Sequence, residues 1–573
     1  MKNLLKYMKQ YRVQAVLGPF FKLTEALFEL FVPLVVADII DQGIGNGDKS
    51  FIISRGILMA VLGIVGFICA LIAQYFAANA SVGFAANLRL ALFKKINGLN
   101  YTDLDTVGTS TLITRMTGDV NTVQTGVNLA LRLLLRSPFI VFGAMIMAFT
   151  VDTKSALIFL ASIPVLAVIV VAVMAITVPL YKKIQQKLDR VTLNTRESLK
   201  GVRVIRAYRQ EQDSLEDFEQ NNNELTTMQK FVGRISALMN PLTYVVVNAA
   251  VILIIWVGGM RVYAGSLTQG QIVALYNYMS QILIELVKLA NMIMTVNKAL
   301  ASGSRISNVL SMENHVDTPT YKAFLPESGH AVEFKNVSFT YQGAGEASLI
   351  DISFTANKGE RIGIIGATGS GKSTLVNLIP HLYGATSGLV AVFGRDVKDY
   401  PDDELRSKIG IVLQKSVLFK GTVRENLLLG GKTATDEELW AALRSAQADE
   451  IVEKKGGLEA EIEQNGRNLS GGQRQRLCIA RALVGNPEIL ILDDSASALD
   501  FKTEADLRKA MAELPQKPTV ITVSQRVSSV MNADRIIVLD DGVAVGYGRH
   551  DELVKSCEVY ADICRSQLEK EEL

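Results

Sequence analysis

Apolar residues are arranged in two different ways along this chain, and the change falls just past its middle. Between about residues 13 and 300 they form long runs with few charges. From about residue 331 they come in short bursts separated by charged and glycine-containing stretches. A helix that crosses a bilayer needs roughly 20 mostly apolar residues. Six segments qualify, at about 14–40, 52–80, 131–151, 156–180, 238–260 and 271–297. Ala156 to Leu180 is the plainest of them, while Lys22, Glu25, Glu29, Glu285 and Lys288 interrupt the first and the last. The pattern predicts an all-α membrane domain over residues 1–310, a linker over 311–330 and a separate α/β domain over 331–573.

Basic residues orient the spans. Lys2, Lys6, Lys9 and Arg12 precede the first. Arg89, Lys94, Lys95 and Arg115 lie between the second and third, and a more basic stretch from Lys182 to Arg234 lies between the fourth and fifth. The remaining connections are short, with Lys49, Lys154 and Arg261. Both termini and the two long connections are therefore expected in the cytosol, in a multi-pass protein of the cytoplasmic membrane. The first span is too long for the core of a cleaved leader, and no A-x-A site follows it. Each long connection has helical patterning over roughly 50 residues. Helices continuing about 20 residues past the bilayer would reach about 30 Å into the cytosol.

Charges within spans point to function by default. Lys22 and Glu25, like Glu285 and Lys288, stand three residues apart and could neutralise each other against a neighbouring helix. Alternatively, Asn277, Gln281 and Glu285 share one face of the sixth span, with Asn248 and Gln74 able to face the same space. That would make a polar wall for a translocated substrate.

Composition narrows the class. Hydrophobic residues make up 49% and charged residues 20%, which excludes a disordered chain. Four cysteines cannot staple 573 residues. A net charge of +2 gives no reason to expect nucleic acid as a partner.

The second domain carries explicit chemistry. Residues 361–374 read RIGIIGATGSGKST, an apolar strand entering a glycine-rich loop and then a helix. Gly366 to Ser373 match G-x-x-x-x-G-K-[ST]. The glycines of such a loop let backbone N–H groups close on phosphate oxygens at the positive end of the helix. Gly366, Thr368, Gly369, Ser370, Gly371, Lys372, Ser373 and Thr374 are thus candidate ATP contacts. Lys372 is expected to reach the β- and γ-phosphates, and Ser373 to ligate Mg2+. Ile489 to Asp493 read as a second buried strand ending in a carboxylate suited to hold the same Mg2+.

Between these two motifs lies Leu469-Ser-Gly-Gly-Gln473. That motif, together with the spacing from the phosphate loop to Asp493, resembles the nucleotide-binding domain of ATP-binding cassette transporters. With six spans, two long cytosolic connections and one cassette, nearly the whole chain resembles an exporter-type half-transporter. The resemblance implies that Tyr341 stacks on adenine and that Gln414 senses Mg2+ and the γ-phosphate. It implies that Ser497-Ala-Leu-Asp500 forms the D-loop, and that residues about 101–108 and 198–208 form coupling helices. It also implies that Ser470, Gly471, Gly472 and Gln473 contact the ATP held by a second cassette.

Two positions depart from the family pattern. The residue after Asp493 is expected to be a glutamate that polarises the attacking water; here it is Asp494, one methylene shorter. A histidine is expected in the switch loop; here Gln525 stands there, and His315, His330, His381 and His550 all lie elsewhere. A base must lie within hydrogen-bond reach, and an amide takes up no proton near neutrality. An impaired site beside an intact signature motif implies a degenerate-site subunit of a heterodimeric multidrug-type exporter, whose partner carries Glu and His at the matching positions. Lipid or lipid-linked flipping, peptide export, and an ATP-gated channel or sensor are the alternatives. A peptide-processing exporter would carry an N-terminal cysteine protease domain, which does not fit a chain entering the membrane by about residue 14.

Overall fold

The computed structural model describes residues 2–312, 329–495 and 499–568. The chain divides into two compact units. The first comprises Met1–Gly98 and Thr109–Glu313; the second comprises Leu99–Gly108 and Asn314–Leu573. Most of the linker expected over 311–330 lies outside the described residues, as do residues 497 and 498 of the expected D-loop.

The first unit is all-α. Among the described residues, five helices are long and apolar enough to cross a membrane: Lys49–Asn97, Thr109–Val151, Thr153–Ala207, Glu211–Tyr263 and Gln269–Ser311. The segment expected to span first is also helical, over Arg12–Asp38, but its charged residues keep it below that apolar standard. Helices of 49 and 55 residues follow from the sequence, because polar helical patterning continues past the apolar stretches without a break. The expected coupling helices differ from each other. Tyr101–Val107 is a separate helix, capped by the Asn100 side chain accepting from the Asp103 amide. Residues 198–207, by contrast, simply continue Thr153–Ala207.

Small residues bring these helices together. Ala26, Ala144, Ala148, Ala250 and Ala274 lie in a buried cluster with Ile140, Phe159, Leu166, Tyr278 and Met279. Large apolar side chains such as Phe67, Leu71, Val168, Ile252 and Trp256 point outward, as lipid-facing positions do. At one end, Asp41 accepts from the Gly270 amide and from Thr268. A Cβ at Gly270 would meet the Ala37 carbonyl oxygen at 2.3 Å, so only glycine allows that approach.

A buried ion cluster ties three helices of this unit. Arg136 Nη1 donates to Glu285 at 2.7 Å and its Nη2 donates to Glu29 at 2.6 Å. Ser137 and Lys288 complete the shell of Glu285, at 2.7 and 2.8 Å. Lys22 pairs with Glu25, which lies 3.9 Å from Arg136. Three cations thus meet three carboxylates, so the group is neutral as a whole. Glu285, only 2% exposed, is enclosed by these partners, on the same helix as Asn277 and Gln281 of the expected substrate wall. Asn277 and Gln281 are half-buried on the same helix, and Gln74 and Asn248 are exposed.

The second unit is α/β. Its strands are β1 (His330–Phe339), β2 (Leu349–Asn357), β3 (Arg361–Gly366), β4 (Ser387–Val392), β5 (Arg395–Asp396), β6 (Ile409–Val412), β7 (Gly421–Thr422), β8 (Glu461–Ile462), β9 (Ile489–Asp493), β10 (Thr519–Val523), β11 (Arg535–Asp540) and β12 (Val543–Gly548). One sheet has the order β12-β11-β3-β10-β9-β6, parallel except at the β12 edge. A second, antiparallel sheet has the order β2-β1-β4-β5. Every residue of β9 is buried. Ile489 and Ile491 face the core around the phosphate-loop helix, whereas Leu490 and Leu492 face the core built from helices of residues 423–483. Burial on both faces explains why this strand reads as a continuous apolar run rather than an alternating one.

Candidate functional site

Strand order assembles the site. In the parallel sheet β10 lies between β3 and β9. Three carboxyl ends therefore emerge side by side: β3 delivers the glycine-rich loop, β9 delivers Asp493 and Asp494, and β10 delivers Ser524 and Gln525. Ligands of such sheets bind beyond the carboxyl ends of the strands. Here that place is a cleft of about 640 Å³ lined by the loop, the two aspartates, Gln414, Gln525 and Tyr341.

The loop is built for close approach. A Cβ on Gly366 would meet the Leu539 carbonyl oxygen at 2.1 Å. Gly371 has φ +94° and starts the Lys372–Leu378 helix, whose first turn lines the cleft. Lys372 Nζ donates to the carbonyls of Gly366 and Ala367 at 2.9 and 2.5 Å and to Ser370 Oγ at 3.3 Å. Burial pulls its pKa down, while Asp494 and Asp493 push it back up.

The acidic wall is equally defined. Ser373 Oγ donates to Asp493 Oδ1 at 3.0 Å. A hydroxyl and a carboxylate from different elements therefore already share one point. Two hard oxygens, with phosphate and water supplying the rest, suit Mg2+, which seldom takes an all-protein cage. Burial raises the Asp493 pKa, opposed by the Ser373 bond, and Asp494 raises it further. Burial also raises that of Asp494, against a hydrogen bond from Gln414 and the charges of Lys372 and Arg526. A bound cation would relieve this crowding of negative charge.

Asp494 adopts φ +46°, and its amide donates to the Val523 carbonyl at 3.0 Å. The chain thus leaves β9 in a left-handed turn, a conformation that aspartate tolerates better than most residues. Gln525 Oε1 accepts from Thr368 Oγ1 at 3.4 Å, which places the amide across the mouth of the phosphate loop. Tyr341 reaches Thr374 Oγ1 with its hydroxyl, at 3.0 Å. The fold therefore gathers Tyr341, the loop residues, Gln414, Asp493, Asp494 and Gln525 in one cleft.

Ser470 to Gln473 lie outside it. Ser470 caps the Gly471–Leu483 helix, accepting from the Gln473 amide, while the Gln473 side chain accepts from the Ser470 amide. That helix start is exposed. Asp500 likewise caps Phe501–Ala512, and the amide and hydroxyl of Thr503 hold its carboxyl below the usual range. The sequence did not point to Glu346, Ser348, Asp541 or Gly542, which also line the cleft. Asp541-Gly542 is a legible hairpin turn, but only the pairing of β11 with both β3 and β12 brings it beside the phosphate loop.

Comparison with known proteins agrees with this architecture. The ABC transporter transmembrane region model matches residues 16–286, and the ABC transporter model matches residues 349–497. An ABC transporter ATP-binding protein of Mycobacterium tuberculosis (strain CDC 1551 / Oshkosh) is 37% identical, with 98% of this chain and 97% of that protein covered. A probable multidrug resistance ABC transporter ATP-binding/permease protein of Bacillus subtilis (strain 168) is 38% identical, over 71% of this chain and 70% of its own length. An ATP-dependent lipid A-core flippase of Desulfotalea psychrophila is 33% identical, over 82% of each.

Proposed function

The chain belongs to the ATP-binding cassette (ABC) transporters, as an exporter-type half-transporter, and on that premise we propose that it supplies the slow ATP site of a heterodimeric exporter of amphipathic small molecules in the bacterial cytoplasmic membrane. The observation that carries this reading is the pairing of Asp494 and Gln525 in one cleft with the Ser470–Gln473 motif intact elsewhere. At the γ-phosphate end the chain offers a short carboxylate and a neutral amide, where a longer base and a titratable imidazole would speed hydrolysis. A misplacement of about 1 Å in such a base costs on the order of 10²-fold. Mg2+ bound at Ser373 and Asp493 would neutralise phosphate charge and activate the terminal phosphoryl group. Lys372 and the loop amides hold the phosphates, Tyr341 packs on the adenine, and Asp494 with Gln414 positions the water. The exposed helix start at Ser470 lends its hydroxyl and amides to the ATP of the second cassette. Amphipathic cargo is supported by the name of the multidrug relative. The flippase relative supports a lipid as the second reading.

Purified alone, the chain is expected to show near-background ATPase. Co-purified with a second half-transporter bearing Glu and His at the matching positions, it should show robust activity. Fast turnover by a verified homodimer would overturn the reading. Asp494→Glu with Gln525→His should then raise hydrolysis at this chain's own site by about tenfold or more. Single-turnover hydrolysis with the partner's site disabled measures this, and an unchanged rate rejects Asp494 and Gln525 as its cause.

A further inference from the structure

The loop that carries Gln525 is held from behind by the last described helix of the chain, Glu558–Leu568. Gln567 in that helix donates from Nε2 to the Gln525 carbonyl oxygen at 2.7 Å, and its Oε1 accepts from the Val527 amide at 2.8 Å. One side-chain amide thus bonds the backbone on both sides of Arg526. Its orientation is forced, because a backbone N–H can only donate and a carbonyl can only accept.

The local sequence leaves a need for this bond. Val527 opens the Val527–Val530 helix, and the first N–H groups of a helix have no partner within it. The preceding residue is Arg526, whose guanidinium has no acceptor and cannot cap. Gln567 supplies the acceptor from 40 residues away. The helix that bears it is itself fixed. Tyr560, Cys564 and Gln567 fall at i, i+4 and i+7, on one face. Tyr560 and Cys564 are buried in a cluster with Val527, Val530 and Val538. His550 Nδ1 lies 2.8 Å from the Tyr560 hydroxyl. On the cleft side, the Ser524 amide donates to the Ile364 carbonyl at 3.1 Å, which ties the start of the loop to β3.

We propose that Gln567 is a positioning residue for this chain's own ATP site: by clamping the backbone around Arg526, it sets where the Gln525 side chain stands at the mouth of the phosphate loop. The Gln525 side chain itself makes only a long bond there, 3.4 Å from Thr368 Oγ1, so the backbone clamp decides its place. A displacement of about 1 Å at the reacting end of such a site is worth on the order of 10²-fold in rate. The proposal rests on the reading of Gln525 as the residue at the γ-phosphate.

Two measurements on the full-length protein test it. Amide hydrogen exchange reads the clamp directly. Gln567→Ala should speed exchange of the Val527 amide by about tenfold or more and leave the amides of β3 within about twofold. Single-turnover ATP hydrolysis in the assembled transporter, with the partner's site disabled, reads the consequence. Gln567→Ala should slow that step by about tenfold while affinity for a fluorescent ATP analogue stays within about twofold. In a chain carrying Asp494→Glu and Gln525→His, it should cancel most of the gain in rate. In a chain carrying Gln525→Ala, it should slow the step by less than about twofold, because nothing is left to position. A general loosening of the domain would cost the same factor with or without Gln525. Equal losses in those two chains, an undiminished gain in the Asp494→Glu and Gln525→His chain, or unchanged exchange at Val527 overturns the proposal. An unchanged rate in Gln525→Ala alone rejects the underlying reading of Gln525, a result distinct from any loss at Gln567.

Discussion

Ser470→Arg in the assembled transporter is expected to lower ATP turnover by about 10²-fold, as loss of a donor at a developing negative charge does elsewhere. Ser470 stands at the exposed start of the Gly471–Leu483 helix, at the positive end of the helix dipole, and its hydroxyl oxygen accepts within the cap while its hydrogen is left to donate. An arginine there removes the hydroxyl and fills the space that a γ-phosphate would enter. A bulky residue at Gly472 should act alike. Lys372→Ala should have a smaller effect, under about tenfold on kcat, because it serves the site where little turnover occurs. Its main consequence should be weaker ATP retention by this chain. Loss of the cap costs only about 1 kcal/mol, so melting temperatures close to that of the unaltered transporter would separate a catalytic loss from unfolding. If Lys372→Ala abolishes turnover and the Ser470 and Gly472 variants remain active, the two sites are assigned the wrong way round.

Arg136→Ala should be the most destabilising single change in the membrane unit. Arg136 is 7% exposed and bridges Glu285 and Glu29. Removing it leaves Glu285 buried with Lys288 as its remaining cation and frees Glu29 from its ion pair. Breaking one side of a buried pair costs about 3–5 kcal/mol, which corresponds to a fall of about 10 °C in apparent midpoint. Arg136→Lys should recover only part of this, because one ammonium cannot span two carboxylates as a guanidinium fork does. Arg136→Met combined with Glu285→Gln should recover at least half, since the charges then left without partners, Glu29 and Lys288, are partly exposed rather than buried. Size-exclusion profiles after stepwise heating of the solubilised protein measure all three. Equal midpoints for Arg136→Ala and the double variant would show that the ion cluster is not what holds these helices.

Local chemistry is legible along the chain without any coordinates. Long apolar runs must become membrane helices, because a bilayer offers no partner to an open backbone. A glycine-rich loop between an apolar strand and a helix must expose amides, and so the phosphate loop was legible residue by residue. The absence of a glutamate after Asp493 and of a histidine near Gln525 was equally plain, since identity at a motif position needs no coordinates. Other features depended on elements far apart in the chain. Glu285 looked like a local pair with Lys288, three residues on; only the packing of three helices showed that Arg136, 149 residues away, is its buried partner. The Asp541-Gly542 turn became a cleft wall through the insertion of β3 and β10 between β11 and β9. Gln567 carried no signal in sequence, being one amide among many; its place beside Gln525, 42 residues away, arises because the last described helix packs against β3, β11 and the Val527–Val530 helix. Local patterns report what a segment must bury or satisfy, whereas the choice of partner is made by side chains that meet only when the chain has closed on itself.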